Sequence, residues 1–236
     1  MSEEEDFGDD EEVVIDGDDD DDDGIITMDD DYAEPPKPQN ATPQNTNEEK
    51  RRAEIQSLTQ RFQPKNASAR RLISDLQIIR NTKEKELGFR ANPASNDLFN
   101  WEIQLFGFDK GTPIFSDIQK YKKQTGRDYV QIQVSFPPDY PNSPPFVRVV
   151  QPRFQFHTGR VTVGGSLCMD ILTLNGWNPT YDIESLMINV TSAILDGNPR
   201  IDFRFNQPYS LEEAKQAYIR VARDHGWKPN GWLPNH

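Results

Sequence analysis

Apolar residues recur with helical spacing in four stretches of the chain, and each stretch predicts an amphipathic helix. The predicted buried faces are Ile55, Leu58 and Phe62; Leu72, Ile73, Leu76 and Ile79; Ile183, Leu186, Val190 and Ile194; and Ala214, Ala217, Tyr218 and Val221. The first helix should begin at Asn47 and end before Pro64, which cannot continue a helix. Ser68, Asp182 and Ser210 are the predicted N-caps of the other three, because a short polar side chain can accept a hydrogen bond from the first turn.

Between the second and third of these helices the apolar period changes from 3.6 to 2, which predicts strands with one buried face. The alternating sets are Trp101, Ile103 and Leu105, and Val130, Ile132, Val134 and Phe136. The charged stretch from Asp109 to Asp128 is longer than an ordinary hairpin loop, so we interpret it as an insertion. Five prolines in residues 137–145 exclude helix and sheet before the apolar strand 146–150. The order of elements predicts an α+β fold with an antiparallel sheet.

Charge divides the chain into two parts. Residues 1–50 contain 21 Asp and Glu and only two Lys, a net charge of −19, whereas residues 51–236 contain 24 Lys and Arg and 18 Asp and Glu, a net charge of +6. Residues 1–46 are therefore predicted to be a disordered acidic tail followed by a Pro-, Asn- and Gln-rich linker. Residues 47–66 should form an extra N-terminal helix, and residues 67–236 the folded domain.

The acidic tail contains short apolar clusters, one of which is Val13-Val14-Ile15. A cluster of this kind, flanked by carboxylates, can add a strand to the sheet edge of a partner. It resembles a SUMO-interacting motif, which implies SUMO or basic proteins as partners of the tail. The alternative is an acidic tail that contacts only solvent.

Composition excludes several classes of protein. No apolar run is long enough to span a bilayer, and the N-terminus lacks a secretory signal pattern, so neither a membrane nor secretion is indicated. A single cysteine cannot form an internal disulfide, which suggests the nucleus or cytoplasm. Direct nucleic-acid binding is not expected, because the tail would repel phosphates and the body has no dense basic run.

The single cysteine, Cys168, is the candidate for chemistry. It follows Gly164 and Gly165 and precedes Ile171 and Leu172, which indicates a thiol on an irregular, close-packed surface segment. A lone cysteine is most often a small buried apolar residue, so its role as a nucleophile depends on the surrounding motifs.

Three motifs around Cys168 resemble those of the ubiquitin-conjugating enzymes. They are Phe136-Pro137-x-Asp139-Tyr140-Pro141-x-x-Pro144-Pro145-x-Val147, Gly165-x-Leu167-Cys168-Met169-Asp170-Ile171-Leu172, and Trp177-x-Pro179. The resemblance covers about residues 68–222 and is greatest to the Q-type branch. It implies an N-terminal helix, a four-stranded antiparallel sheet and C-terminal helices.

The resemblance also implies a reaction. Cys168 would accept ubiquitin as a thioester from the ubiquitin-activating enzyme and pass it to a substrate amine or to a ubiquitin ligase. Sulfur suits this carrier role, because a thiolate is both a strong nucleophile and an acceptable leaving group. No cofactor and no metal are expected, since the activating enzyme uses ATP upstream.

The chain departs from the family pattern shortly before the cysteine. Where most members have His-Pro-Asn, this chain has His157-Thr158-Gly159, and the asparagine that is assigned to stabilising the oxyanion or ordering the active-site loop is missing. Loss of an oxyanion donor can slow a reaction by about 10²- to 10³-fold. Thr158 and Arg160 are candidate substitutes, and Asp170 is expected to raise the pKa of Cys168.

Two further surfaces are implied by the resemblance. Asn142, Asn178 and Pro179 would face the ligase, and Asn142 replaces the apolar residue that many members have there. Asn198 and Asp202 would form a polar gate for the incoming amine. The alternative for both groups is ordinary loop polarity.

Two other functions are consistent with the same sequence. The chain could be a catalytically weak scaffold of the same fold that binds ubiquitin or SUMO, or it could be charged with a ubiquitin-like modifier. The intact motif around Cys168 favours the conjugating enzyme. A protease with a Cys168–His157 pair is weakly supported, because eleven residues separate the two side chains and no geometry joins them.

Overall fold

A computed structural model describes residues 44–95, 97–228 and 232–234. The helices are α1 Gln44–Phe62, α2 Ala67–Asn81, α3 Glu84–Leu87, α4 Pro113–Thr125, α5 Ile183–Asp196 and α6 Leu211–Asp224, with a 3-10 helix Asp170–Leu172. The strands are β1 Phe89–Ala94, β2 Asp97–Leu105, β3 Val130–Ser135 and β4 Phe146–Gln151. The predictions for the acidic tail and for Val13, Val14 and Ile15 fall outside the described residues.

The four strands form one antiparallel sheet in the order β1-β2-β3-β4, which confirms the predicted fold class. The alternation along β2 buries Trp101, Ile103 and Leu105, as predicted. Strand β1 was not predicted, because Asn92-Pro93 signals a turn. Proline is tolerated there because β1 is an edge strand and its pairing shifts at Pro93.

Helices α2 and α5 bury the apolar faces that the sequence predicts. Asp182 caps α5 by accepting a hydrogen bond from the Ser185 N–H at 2.7 Å, and Ser210 and Glu213 form a capping box on α6. The predicted cap of α2 is wrong. Asn66 accepts from the Ala69 N–H at 2.7 Å, while the buried Ser68 donates to the carbonyl of Pro138.

Helix α1 begins at Gln44, three residues before the predicted start, and it ends at Phe62, before Pro64. Leu58 and Phe62 pack against the core from their predicted shared face. Glu54 lies 3.0 Å from Arg80 of α2 and joins the two helices. None of the helices in the described parts of the chain is long and apolar enough to cross a membrane.

The stretch between β2 and β3, which we interpret as an insertion, contains helix α4, which the sequence pattern did not predict. Thr112 accepts from the Phe115 N–H, and Pro113 occupies the first turn, where a missing N–H costs nothing. Ile114, Ile118 and Tyr121 follow at i, i+4 and i+7 and are buried. The helix therefore packs by a narrow apolar stripe, and the charged residues around that stripe hid it from the sequence pattern.

Candidate active site

Cys168 follows a tight hairpin whose two sides are joined at Val161 and Leu167. Its backbone N–H donates to the carbonyl of Arg160 at 3.0 Å, and its thiol is half-buried. Gly164 and Gly165 lie at the turn of this hairpin. A side chain on Gly164 would approach the carbonyl oxygen of Glu213 in α6, so the hairpin packs directly on that helix. The predicted close packing around the thiol is confirmed.

A groove of about 590 Å³ opens beside the thiol. Its walls come from the hairpin, from the loop that precedes it and from the last turns of α6. Among its lining residues are Cys168, Phe156, Arg160, Val163, Arg220 and His225. Phe156 and Val163 are 67% and 52% exposed, so the groove offers apolar surface as well as two guanidinium groups. An extended peptide segment carrying a reactive group could reach the sulfur along this groove.

His225 was not predicted as a site residue. Its Nε2 lies 3.8 Å from Sγ of Cys168, and its ring stacks on Trp227 with the centroids 4.6 Å apart and the planes 17° apart. The end of α6 fixes its backbone, because the N–H of His225 donates to the carbonyl of Val221. The only signal in the sequence is that it is one of three histidines, and nothing in the local pattern connects it to the cysteine.

Burial raises the pKa of the Cys168 thiol above its ordinary value, and the positive charge of Arg160 partly opposes this effect. Burial, and not the charge of Asp170, is thus the main cause. Asp170 is exposed and begins the 3-10 helix that follows the cysteine. The thiol form therefore predominates at neutral pH, and a reaction at sulfur needs a group that removes the proton.

The loop that replaces His-Pro-Asn has an unusual backbone, since His157, Gly159 and Arg160 have φ values of 60°, 64° and 51°. The hydroxyl of Thr158 donates to the carbonyl of Gln155 at 2.8 Å, so it is engaged within the loop. His157 and Arg160 line the groove. No hydrogen bond or ion pair of the Arg160 guanidinium occurs within residues 44–95, 97–228 and 232–234, so the group is available to a ligand.

The two predicted gate residues are not among the residues that line the groove beside the thiol. Gly197 contributes to the groove wall, while the next residue, Asn198, is exposed with a φ of 48°. The carboxylate of Asp202 is paired with the guanidinium of Arg204 at 2.6 Å and helps to line a second, smaller groove.

The predicted ligase-facing residues lie on two loops that contact each other. The indole Nε1 of Trp177 donates to the carbonyl of Pro141, next to Asn142, at 2.7 Å. Asn178 is a turn residue, because its side-chain oxygen accepts from the backbone N–H and the hydroxyl of Thr180. The carbonyl of Pro179 accepts from Arg71 of α2. The structure thus brings these residues together and ties them to α2.

Within the part of the chain that the structure describes, no three His, Cys, Asp or Glu side chains are grouped as metal ligands would be.

Comparisons with known proteins identify the family of this chain. A protein-family model described as "Ubiquitin-conjugating enzyme" matches residues 71–225. The "Ubiquitin-conjugating enzyme E2 Q1" of Mus musculus and that of Homo sapiens are each 34% identical over 164 residues, which cover 69% of this chain and 38% of the relative. The "Ubiquitin-conjugating enzyme E2 25" of Caenorhabditis elegans is 32% identical over 167 residues, 69% of this chain and 42% of the relative. The chain therefore spans less than half the length of these relatives.

Among solved structures, a ubiquitin conjugating enzyme E2 from Plasmodium falciparum is similar with a TM-score of 0.42 and 21% identity. The similarity covers 55% of this chain and 84% of that chain.

Proposed function

Because this chain belongs to the ubiquitin-conjugating enzyme family, in its Q-type branch, we propose that it accepts ubiquitin as a thioester on Cys168 and transfers it onward. The observation that carries this proposal is the position of the thiol. Cys168 is half-buried beside an open groove, its backbone is fixed by Arg160, and an imidazole lies 3.8 Å from its sulfur. A cysteine that only filled space would need neither the groove nor the imidazole.

Charging is an exchange between two sulfur atoms. The sulfur of Cys168 attacks the carbonyl carbon of the thioester on the activating enzyme, a new C–S bond forms, and the old C–S bond breaks. The proton of Cys168 ends on the thiol that leaves. His225 can accept this proton during the attack, because its Nε2 lies 3.8 Å from Sγ. Burial keeps the thiol protonated until then, which limits unwanted reactions of the free enzyme.

In the transfer to an amine, the sulfur of Cys168 is the leaving group, and His225 is again the proton acceptor. The nitrogen attacks the thioester carbonyl carbon, a C–N bond forms, and the C–S bond breaks so that sulfur leaves as a thiolate. The amine loses one proton, which His225 can accept. Transfer to a ligase differs only in that the attacking atom is the sulfur of the ligase cysteine.

The negative charge that develops on the carbonyl oxygen needs a donor in place of the missing asparagine. Of the two candidates from the sequence, Thr158 is engaged with the carbonyl of Gln155, whereas the guanidinium of Arg160 lines the groove without a partner in the described residues. A guanidinium is always charged and offers several N–H donors. We therefore assign the role of oxyanion donor to Arg160.

The proposal includes partners and a location. Ubiquitin, the ubiquitin-activating enzyme and a ubiquitin ligase are the proposed partners, and ATP is consumed upstream by the activating enzyme, so no cofactor is assigned to this chain. SUMO or basic proteins are proposed partners of the acidic tail through Val13, Val14 and Ile15. The proposed location is the nucleus or the cytoplasm.

The second candidate function is a scaffold that binds ubiquitin or SUMO and transfers it weakly or not at all. The loss of His-Pro-Asn favours it, because the chain has His157-Thr158-Gly159 where most members of the family have the asparagine. The groove and the Cys168–His225 pair favour the enzyme.

The test is a charging reaction with ubiquitin, activating enzyme and ATP, analysed on reducing and non-reducing gels. The enzyme should give an adduct that reductant removes. Cys168→Ala should give no adduct, and Cys168→Ser should give an oxygen ester that resists reductant. If the unaltered protein forms no adduct with ubiquitin or with SUMO but still binds either one, the scaffold is the correct function.

A further inference from the structure

Helix α4 reaches the loop behind the reactive thiol through a single carboxylate. The side chain of Asp117 is 9% exposed, and its two oxygens accept hydrogen bonds from Arg200 at 2.7 and 3.3 Å. One of them also accepts from the backbone N–H of Ile201 at 3.0 Å. All three donors belong to the loop 197–202, so the carboxylate holds that loop and not its own helix.

The packing of α4 does not require this carboxylate. Ile114, Ile118 and Tyr121 already bury the apolar stripe of the helix. A buried carboxylate is unfavourable unless it is paired and hydrogen-bonded, and Asp117 has these partners only through the loop. Lys120 makes a second contact of α4 directly after this loop, because its Nζ lies 4.0 Å from the centre of the ring of Phe203, the residue that follows the loop. The helix therefore forms a support for residues 197–203.

The supported loop in turn holds the segment that carries the backbone partner of Cys168. The carbonyl of Arg200 accepts from the N–H of Gln155 at 2.8 Å, and the N–H of Arg200 donates to the hydroxyl of Thr158. The N–H of Gly159 donates to the carbonyl of Gly197 at 2.8 Å.

The contact between the two loops is tight, because a side chain on Gly197 would lie 2.7 Å from the nitrogen of Arg160. The carbonyl of Arg160 in turn accepts a hydrogen bond from the N–H of Cys168. Each step from α4 to the thiol is thus a direct contact between neighbouring segments.

We propose that Asp117 is a positioning residue, which fixes the loop 197–202 against residues 155–160 and thereby sets the position of Cys168 and Arg160 for transfer. This inference rests on the proposed function of Cys168. Its physical basis is that small displacements of reacting groups lower the rate of the chemical step while substrate binding is retained.

The test compares two variants that break the same pair from opposite sides. Asp117→Asn keeps the shape of the side chain but removes its charge and one of the two acceptor oxygens, so the ion pair with Arg200 is lost. Arg200→Gln removes the guanidinium from an exposed position, and this second variant keeps the test valid if Asp117→Asn folds poorly. Lys122→Gln is the matched control, because it breaks the 2.8 Å pair between Lys122 of α4 and Asp128, neither of which belongs to the loops.

Hydrogen exchange of individual amides in the uncharged protein is the first measurement. Both test variants should lower the protection of the Gly159 and Cys168 amides about ten-fold, since these amides depend on the supported segments. A purely local role would lower protection at Ile201 alone. Unchanged protection at Gly159 and Cys168, or an equal loss in Lys122→Gln, would overturn the proposal.

Single-turnover discharge of the charged enzyme to free lysine is the second measurement. The maximal rate should fall about ten-fold in both test variants, with the half-saturating lysine concentration unchanged and Lys122→Gln behaving as the unaltered protein. An unchanged maximal rate would overturn the proposal. If the unaltered protein forms no thioester, the proposed function fails, whereas hydrogen exchange still decides whether Asp117 positions the loop.

Discussion

Nε2 of His225 and Sγ of Cys168 are 3.8 Å apart, although 57 residues separate them in the chain. The contact exists because the hairpin before Cys168 packs on α6, with Gly164 against the backbone of Glu213, and because α6 ends at the histidine. The pairing of thiol and imidazole is thus a product of tertiary packing. It places an imidazole next to the sulfur in a chain that has His157-Thr158-Gly159 before the cysteine.

His225→Gln should slow the discharge of ubiquitin from Cys168 to free lysine about 100-fold, because general base catalysis commonly contributes this much. Glutamine can still form a hydrogen bond but cannot take up a proton. Single-turnover discharge rates of the variant and of the unaltered protein, measured at the same pH and the same lysine concentration, test the role.

Two variants of Trp227 test whether the ring that stacks on His225 positions the imidazole. Trp227→Phe keeps a ring against His225 and should discharge nearly as fast as the unaltered protein, whereas Trp227→Ala should be slower. Equal rates for His225→Gln and the unaltered protein would exclude the imidazole as the base.

The reactivity of the Cys168 thiol should increase only at higher pH than that of an ordinary cysteine. Burial raises its pKa, so the thiolate that reacts with iodoacetamide forms late. The rate of alkylation measured against pH should have its midpoint above that of the same protein unfolded in urea. A midpoint equal to that of the unfolded protein would show that burial does not raise the pKa of the Cys168 thiol.

The same shift affects stability. Because the pKa of the folded state lies above that of the unfolded state, the folded protein retains its proton longer, and the free energy of unfolding should decrease as the pH rises above the ordinary thiol pKa. Cys168→Ser does not titrate in this range and should remove this part of the pH dependence.

Arg160→Gln should have two separable effects. Loss of the positive charge raises the pKa of Cys168 further, so alkylation at neutral pH should slow about two- to five-fold. Loss of an oxyanion donor should slow transfer from the thioester by a larger factor, about 10²-fold, and this loss is independent of the thiol pKa because Cys168 is acylated in that step. Arg220→Gln, at the same groove, is the control, and an equal effect of both variants on transfer would mean that only the charge of the groove matters.

The helices and strands with a single apolar face could be predicted from the sequence. The faces of α2, α5 and α6 contain buried residues at regular spacing, so periodicity locates these helices, and the caps of α5 and α6 follow from local residue types. The alternation of apolar and polar residues that begins at Trp101 and at Val130 predicted two strands of the sheet. Cys168 could be singled out because it is the only cysteine and the motif around it is continuous in sequence.

Other features depend on contacts that no local pattern records. Helix α4 has three buried apolar residues on a mostly charged segment, and β1 carries Pro93 at an edge. The role of Asn66 as a cap was missed because Ser68 is an equally good cap by residue type, and only the contact with Pro138 shows why it lies inside the helix. His225 enters the site through the packing of α6, which sequence spacing does not reveal.

Gly165→Ala should be among the most destabilising single substitutions near the site. Gly165 has a φ of +94°, which side chains with a Cβ rarely adopt, and an added Cβ would lie 2.6 Å from the ring of Tyr209 and 2.8 Å from the carbonyl oxygen of Val149. Backbone strain and overpacking should together lower the free energy of unfolding by about 3 kcal/mol.

Gly107→Ala provides the matched control for this prediction, because Gly107 has a similar φ of +80° but nothing within 4 Å of an added Cβ. It should lower the free energy of unfolding by only about 1 kcal/mol, from backbone strain alone. Urea unfolding of both variants measures the two values, and their difference gives the cost of crowding between the hairpin and Tyr209. Since the hairpin sets the position of Cys168, Gly165→Ala should also slow charging, while Gly107→Ala should not. Equal losses of stability in the two variants would mean that the hairpin moves away from Tyr209 at no cost.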